Sequence, residues 1–223
     1  MYYFPIVIKR NFFVKWFEQN KRDFPWRNDE TSPFQFLVTE VLLQQTKADD
    51  VAKIWLDFFT DIPDAFTLSQ ISVDALEERI RFLGFGKKRA NALKMIGAWL
   101  FENHDGIVPD NREQLLAIPY VGSYAAHAVL CFAFNQKIEI VDANVLRLFS
   151  RYYNIELNRD ARRAPVSWEI ARKLLPRERK KAKPHNYGLL DFTAQICKVG
   201  RPRCEICPLN KICVTGRINL SVR

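Results

Sequence analysis

The sequence has few turn-forming residues, no long apolar run and no even set of widely spaced cysteines. Glycine and proline together account for 19 of the 223 residues, which excludes a collagen-like or low-complexity chain. No run approaches the roughly 18 apolar residues that a membrane span needs. The apolar segment 1–8 lacks a basic flank and a small-residue cleavage site, so we expect neither a signal peptide nor a membrane partner. With 48% hydrophobic residues, we expect a folded globular protein. We expect it in the cytoplasm, associated with the nucleoid if the source is prokaryotic.

The cysteine pattern predicts a metal site. Cys131 stands apart, whereas the other four fall in one short window with the spacing Cys197-x6-Cys204-x2-Cys207-x5-Cys213. Such clustering is untypical of a disulfide framework and indicates a reducing compartment. Four thiolates can hold tetrahedral zinc or a [4Fe–4S] cluster. One close pair flanked by single cysteines favours the iron–sulfur cluster, because a zinc ribbon usually has two short pairs.

Positive charge is concentrated in the last third of the chain. Residues 1–146 carry 16 Lys and Arg against 19 Asp and Glu, whereas residues 147–223 carry 18 against 6. A basic region of this size suggests a polyanionic partner such as nucleic acid, although a basic solvated face is the simpler alternative.

The hydrophobic periodicity is almost entirely helical, and we predict an all-α protein with almost no sheet. Phe34, Leu37, Val38, Val41 and Leu42 form a core stripe that starts after a Ser32-Pro33 cap. Glu40 and Gln44 are four residues apart and are predicted to share a face of that helix. The helices are predicted at 11–20, 32–44, 49–59, 72–82, 87–102, 112–117, 123–134, 142–153, 165–175 and 186–196.

The segment Leu115–Ala126 predicts two short helices joined by a tight turn. Pro119 cannot continue the first helix, and Gly122 tolerates a positive φ and a close backbone approach. The amides near Gly122 and Ser123 then have no intrahelical partner and form a phosphate site, with Pro119 and Val121 in the same turn. A second grip on a nucleic-acid backbone is predicted at Lys87 and Arg89, where a solvated loop is the alternative.

The hairpin, the Asp142-Ala143-Asn144 segment and the cysteine spacing together resemble the helix-hairpin-helix DNA glycosylases of the endonuclease III superfamily, over about residues 12–213. The resemblance implies a six-helix barrel domain at 28–135 and a [4Fe–4S] domain at 1–27 and 136–223. It also implies that the N-terminal helix packs into the cluster domain and that double-stranded DNA binds in a cleft between the domains. The cluster ligands would be Cys197, Cys204, Cys207 and Cys213.

The chemistry of such enzymes assigns roles to the candidate residues. A glycosylase flips the nucleotide and cleaves the N-glycosidic bond through a cationic sugar, which Asp142 would stabilise. Asn144 would help to hold the Asp142 carboxylate in place. Helix capping is the alternative role for Asp142, and the two roles are compatible. Relatives that also nick DNA carry a lysine at the position of Tyr124, where it forms a Schiff base. Tyrosine cannot do this, so the resemblance implies a monofunctional enzyme.

Individual residues and one loop length bear on which base is excised. Glu40 and Gln44 resemble residues of the adenine glycosylases, in which the glutamate protonates the base and the glutamine enters the base stack. Ala143 in place of glycine, a shorter loop at 84–93 without a tyrosine pair, and the absence of a further domain after Cys213 favour the thymine glycosylases of T:G mismatches (the Mig type). The Mig type, however, has two arginines where this chain has Gln44-Gln45. We therefore expect thymine or uracil opposite guanine, with adenine as the alternative.

Two further hypotheses are a non-catalytic iron–sulfur DNA-binding protein and a zinc-stabilised helical module. A monomer acting on mismatched duplex DNA is expected. The related hairpins usually read Pro-Gly-Val-Gly, and this chain has Tyr120 at the first glycine. If that position needs a positive φ, Tyr120 is strained.

Overall fold

The structure is a computed structural model that describes residues 8–156 and 165–221. No strand is assigned to these residues, and the prediction of an all-α fold is confirmed. None of their helices is long and apolar enough to cross a membrane. The α-helices in the described ranges are α1 (Phe12–Asn20), α2 (Pro33–Leu42), α3 (Ala48–Asp61), α4 (Ala65–Gln70), α5 (Val73–Ile80), α6 (Gly86–His104), α7 (Arg112–Ala117), α8 (Ser123–Phe132), α9 (Ala143–Tyr153), α10 (Pro165–Leu174), α11 (Ala182–Gln195) and α12 (Val214–Ser221).

The chain is divided into two compact units, each with its own packed interior. One unit is continuous and spans Asp23–Phe134, so that it contains α2 to α8. The other unit joins Met1–Arg22 to Asn135–Arg223 and contains α1 with α9 to α12.

In the continuous unit, α2 is fixed by its first turn and its buried face. Ser32 Oγ accepts from Gln35 N at 3.2 Å, and Gln35 Oε1 accepts from Ser32 N at 2.8 Å, which forms a capping box ahead of Pro33. The predicted core stripe of α2 is buried, and α2 packs against α3 and α8. Thr39 Oγ1 accepts from the indole Nε1 of Trp55 at 2.7 Å, so this core contact also satisfies a buried polar pair.

In the discontinuous unit, the N-terminal helix α1 packs along α11. Gly188 permits this close approach, since a Cβ there would lie 2.1 Å from the carbonyl oxygen of Phe13. Phe13 and Trp16 meet Phe192 edge to face, with ring centroids 5.6 and 5.4 Å apart.

An ion pair holds the end of the N-terminal segment to the same helix. Arg22 Nε lies 2.7 Å from Oδ1 of Asp191, and the Arg22 backbone N donates to Oδ2 at 3.0 Å. The Asp191 side chain is fully buried, so the loss of its partner would leave an uncompensated charge inside the protein.

The predicted helices differ from the observed ones mainly where a helix is short or begins with charged residues. Helices α4 and α12, of six and eight residues, were not predicted, because so few turns carry little periodicity. Helix α11 begins at Ala182 rather than at residue 186, within the basic run Arg177–Lys183. Packing of its buried face outweighs the weak sequence signal at that end.

Candidate active site and cysteine cavity

The predicted hairpin is formed by α7, a tight turn and α8. Helix α7 ends at Ala117, as predicted, and Val121 N donates to the carbonyl of Ile118 at 3.2 Å to close the turn around Pro119. Helix α8 then starts at Ser123 with Gly122 as its N-cap. The hairpin is anchored by Val121, which is buried, while Gly122 is exposed.

The positive φ of this turn lies at Tyr120 and not at Gly122. Gly122 is extended, with φ −94° and ψ 176°, so a positive φ is not the reason for glycine there. Tyr120 carries the positive φ, at 63°, and the expected strain at this residue is confirmed. A Cβ built at Gly122 meets nothing within 4 Å, and no side chain caps α8. The N-terminus of α8 is therefore open to an external anion.

Tyr124 and Glu40 lie on helices that pack against each other, α8 and α2. Tyr124 is half-buried in the first turn of α8, and this helix contains no lysine. Glu40 is buried, with 8% of its surface exposed, so it is not a solvated surface carboxylate.

Gln44 does not share a helix face with Glu40, and that prediction is wrong. Helix α2 ends at Leu42, and Gln44 N donates to the carbonyl of Val41 at 3.2 Å in a tighter turn. Gln44 is exposed and the next residue, Gln45, has φ 57°. The side chain of Gln44 is thus presented by a turn and not by the helix.

Arg89 has a different role from the predicted DNA contact. It is 5% exposed, and its Nη1 donates to the carbonyls of Leu83 and Gly84 at 3.0 and 2.5 Å. Its Nη2 donates to the carbonyl of Gln44 at 2.6 Å and to Thr46 Oγ1 at 2.8 Å. Because the guanidinium is used by four acceptors of this unit, Arg89 joins two surface turns and does not present a cation to solvent.

Lys87 and Phe85, which precede Arg89 in the chain, are exposed. Lys87 is exposed in the first turn of α6, where its ammonium reaches solvent. Phe85, which the sequence reasoning did not single out, precedes that helix with φ 53° and is 62% exposed. An aromatic residue between two glycines beside a basic helix start was the available signal, since exposed apolar side chains can enter a base stack.

Asp142 lies at the start of α9 and caps it, as the sequence suggested. Its Oδ1 accepts from Val145 N at 2.7 Å, and its Oδ2 accepts from the Asn144 side-chain Nδ2 at 2.7 Å. The predicted contact between Asn144 and Asp142 is therefore present. The carboxylate is half-buried, and burial raises the pKa of Asp142 above its ordinary value, while the bonds from Val145 and Asn144 oppose that shift.

Arg147, which the sequence reasoning missed, extends this arrangement. Its Nη1 donates to Asn144 Oδ1 at 2.8 Å, which orients the amide so that its nitrogen faces Asp142. Its Nε and Nη2 donate to the carbonyls of Cys197 and Thr193 at 3.0 and 3.2 Å. The spacing of Asn144 and Arg147, three residues on one helix, was the signal in the sequence.

The four clustered cysteines line one cavity of the discontinuous unit. Its volume is about 360 Å³, including the part open to solvent. Apolar walls come from Leu148, Phe192 and Leu209, which shield the sulfurs. Burial raises the pKa of the Cys207 thiol to about 11, so this thiol keeps its proton near neutral pH until a metal replaces it.

Hydrogen-bond donors are directed at three of the sulfurs. Arg151 Nη1 lies 3.5 Å from Cys197 Sγ, Asn219 Nδ2 lies 3.4 Å from Cys204 Sγ, and the backbone N of Gly216 lies 3.4 Å from Cys213 Sγ. Such donors stabilise negative sulfur, as cluster ligands require. The donor set therefore fits a thiolate-held cluster.

One finding argues against a site for a single metal ion. Within 8–156 and 165–221, no three His, Cys, Asp or Glu side chains form a group that could hold one metal ion. Cys131 is fully buried in α8 of the other unit and is an ordinary core residue.

Comparison with protein families gives one matching description. Residues 38–173 match the family model described as HhH-GPD superfamily base excision DNA repair protein. The matched segment contains the hairpin and Asp142.

Individual relatives extend the match to nearly the whole chain. A thymine/uracil-DNA glycosylase from Methanothermobacter thermautotrophicus is 35% identical, over 92% of this chain and 93% of the relative. The structure of a thermostable thymine-DNA glycosylase superposes with a TM-score of 0.86 at 33% identity, covering 94% of this chain and 95% of its own. An adenine DNA glycosylase from Mycobacterium tuberculosis is also 35% identical, over 88% of this chain and 64% of the relative.

Proposed function

Because the chain belongs to the HhH-GPD superfamily of base excision DNA repair proteins, we propose that it is a monofunctional DNA glycosylase for thymine or uracil mispaired with guanine. The observation that carries the proposal is the Asp142 carboxylate, whose two oxygens are oriented by Val145 N and Asn144 Nδ2. A carboxylate fixed in this way is ready to stabilise positive charge without further reorganisation.

The proposed reaction breaks the N-glycosidic bond of a nucleotide flipped out of the duplex. The bonding electron pair leaves with the base, and the deoxyribose becomes an oxocarbenium-like cation. Asp142 stabilises this cation electrostatically, and water adds to the sugar carbon. The proton that the water loses balances the one that the departed base takes up, which leaves an abasic site and the free base. Asn144 and Arg147 act as positioning residues, because they hold the carboxylate rather than touch the sugar.

The hairpin supplies the grip on DNA. The uncapped N-terminus of α8 at Gly122 and Ser123 presents backbone amides to a phosphate, and Pro119 and Val121 shape the turn. Lys87 adds a cation at the start of α6. Gln44 is exposed, and we assign it to enter the base stack where the flipped nucleotide leaves.

Two side chains shape the pocket for the base. Glu40 is buried on α2, and Tyr124 is half-buried on the adjacent α8. We assign Glu40 to hydrogen bonding or protonation of the departing base. Tyr124 has no amine with which to form a Schiff base, which supports glycosylase activity without strand nicking.

The cysteine cavity is proposed to hold a [4Fe–4S] cluster through Cys197, Cys204, Cys207 and Cys213. A bound cluster would cross-link the loop that follows α11, and we assign it a structural role. Its presence would give a yellow-brown protein with broad absorbance near 400 nm. Substitution of Cys207 by serine should lower the iron content and the thermal stability.

A panel of duplexes tests the proposed activity. The duplexes contain T:G, U:G, A:G, and A opposite oxidised guanine, and each product is analysed with and without alkali. The proposal expects strand breaks at T:G and U:G, and only after alkali. Breaks without alkali would contradict the role of Tyr124, and no breaks at any mismatch would favour a DNA-binding protein without catalysis.

The adenine glycosylase activity is the second candidate. It is favoured by the 35% identity to the adenine DNA glycosylase of Mycobacterium tuberculosis and by the burial of Glu40. Breaks confined to the two adenine duplexes of the panel would establish it.

A further inference from the structure

Tyr120 occupies a backbone conformation that disfavours its side chain. Its φ is 63°, and the other non-glycine residues with positive φ in the described ranges are Gln45, Phe85, Asp105, Asn135 and Asn154. Asp and Asn tolerate this region because their short side chains can hydrogen-bond locally, whereas a bulky aromatic residue is a genuine outlier. A position with this conformation would be satisfied at lower cost by glycine or asparagine.

Burial does not account for the tyrosine. The residue is 49% exposed, and its hydroxyl lies 3.6 Å from Sδ of Met95, a weak acceptor. Met95 is itself 48% exposed on α6. An exposed aromatic ring resting on an exposed methionine gains little from the hydrophobic effect, so the strain points to a use outside the folded core.

The location of the ring suggests that use. Lys88, Asn91 and Met95 are exposed at positions i, i+3 and i+7 of α6, so they share one helix face. The hydroxyl of Tyr120 lies on this face, while its backbone lies two residues before Gly122, the open N-cap of α8. Lys88 and Met95 are about 10 Å apart along the helix axis, which matches about three nucleotides of one DNA strand.

We propose that Tyr120 contacts the DNA backbone and extends the hairpin grip to the basic face of α6. Its hydroxyl donates to a phosphate oxygen, and its ring packs against the adjoining deoxyribose. Tyrosine is among the side chains that bind sugar and phosphate in protein–DNA interfaces. The contact carries no base specificity, so it serves mismatched and fully paired duplexes alike. The proposal rests on the proposed function only in taking duplex DNA as the ligand.

The test compares Tyr120→Phe and Tyr120→Asn with the wild-type protein. Asn tolerates the positive φ and removes the ring, and Phe keeps the ring and removes the hydroxyl. Dissociation constants are measured by fluorescence anisotropy on a labelled T:G duplex and its fully paired counterpart at several salt concentrations. Thermal unfolding and single-turnover excision at saturating enzyme are measured in parallel.

Each variant should bind both duplexes about tenfold more weakly, as expected for the loss of one hydrogen bond to a charged phosphate oxygen. The slope of log Kd against log salt should not change, because a phenol releases no counterion, whereas Lys88→Gln should lower it by about 0.9. Tyr120→Asn should unfold at the same or a higher temperature, and its defect should lie in Kd more than in the single-turnover rate at saturating enzyme. Phe66→Asn, at another exposed aromatic residue of the same unit, is the control and should not alter binding.

Wild-type affinity in a folded Tyr120→Asn protein would overturn the proposal. So would weaker binding accompanied by a lower unfolding temperature in both variants, since that pattern indicates a purely structural role. The outcome is separable from the proposed activity: weaker DNA binding supports the contact even if the duplex panel shows no excision.

Discussion

Helices α8 and α9 begin in opposite ways. Helix α8 starts at Gly122, which has no side chain to cap it, and α9 starts at Asp142, which caps its own third residue with Oδ1. Both helices begin with backbone amides that have no partner within the helix. At α8 these amides stay open to an external anion, whereas at α9 one of them donates to the Asp142 carboxylate. In the proposed function, the open end of α8 binds a phosphate and the capped end of α9 holds a carboxylate for the cationic sugar.

The contrast predicts that the anion at α9 is required for chemistry and not for folding. Asp142→Asn should lower single-turnover excision by about a hundred- to thousandfold, because the charge that stabilises the cation is removed. Asparagine is an equally good N-cap, so the helix start is retained.

The same substitution should leave the unfolding temperature unchanged or raise it. The folded pKa of Asp142 is raised above the unfolded value of about 3.9, so at neutral pH the folded state holds this charge at a cost. That cost declines as pH falls below the folded pKa and is gone below the unfolded value of about 3.9. In the variant it is absent at all pH values. Equal loss of stability and activity would mean that Asp142 is only a structural cap.

A capping carboxylate at the start of α8, like the one at the start of α9, should prevent α8 from binding a phosphate. The extended φ of Gly122 and the open space around its Cβ accept an aspartate without strain. Gly122→Asp should therefore add a cap and stabilise the protein by a few tenths of a kcal/mol. DNA affinity should fall by about tenfold or more, because the new carboxylate repels the phosphate and takes its amides.

Gly122→Asn is the matched control for that variant. It adds a cap of the same shape without charge, and we expect a smaller loss of affinity. Wild-type affinity in Gly122→Asp would show that the open end of α8 is not the phosphate site.

The hydrogen bond from Asn144 to the Asp142 carboxylate can be removed without changing Asp142 itself. Asn144→Ala deletes the donor to Oδ2 of Asp142, and loss of a bond to the charged form raises the carboxyl pKa further. The acid limb of the excision rate should move to higher pH, with a rate near that of the wild type on the alkaline side. An unchanged acid limb with a uniformly lower rate would indicate that Asn144 contacts the DNA instead.

The smallest expected effects on DNA binding concern two cations at the start of α6. Lys87→Gln should lower the salt slope of DNA binding by about 0.9 and hardly change stability. Arg89→Gln should leave the slope unchanged and destabilise the protein by about 2–3 kcal/mol, because four acceptors lose a charged donor. The opposite assignment of effects would restore Arg89 as a DNA contact.

Local patterns in the sequence predict much of the fold and several helix boundaries. The Ser32-Pro33 cap, the bounds of α7 and the capping role of Asp142 follow from interactions within three or four residues. The end of α2 at Leu42 was missed, because Val41 and Leu42 continue a helical pattern that the turn at Gln44 and Gln45 breaks.

Interactions between distant residues explain the rest. The burial of Arg89 depends on the carbonyl of Gln44, 45 residues away, and no local pattern reports such a partner. The contact between Arg147 and the carbonyl of Cys197 spans 50 residues and is equally invisible to periodicity. The sequence predicted which atoms lie at the start of α9, but not the guanidinium that orients them.

The central claim, that the Asp142 carboxylate stabilises the sugar cation, is tested most directly by the pH dependence of single-turnover excision on a T:G duplex. The account predicts an acid limb in the wild-type protein with a midpoint above about 3.9, the ordinary aspartate value. In Asp142→Asn the residual rate should be low and should show no such limb. A variant that retains both the wild-type rate and the acid limb would contradict the account.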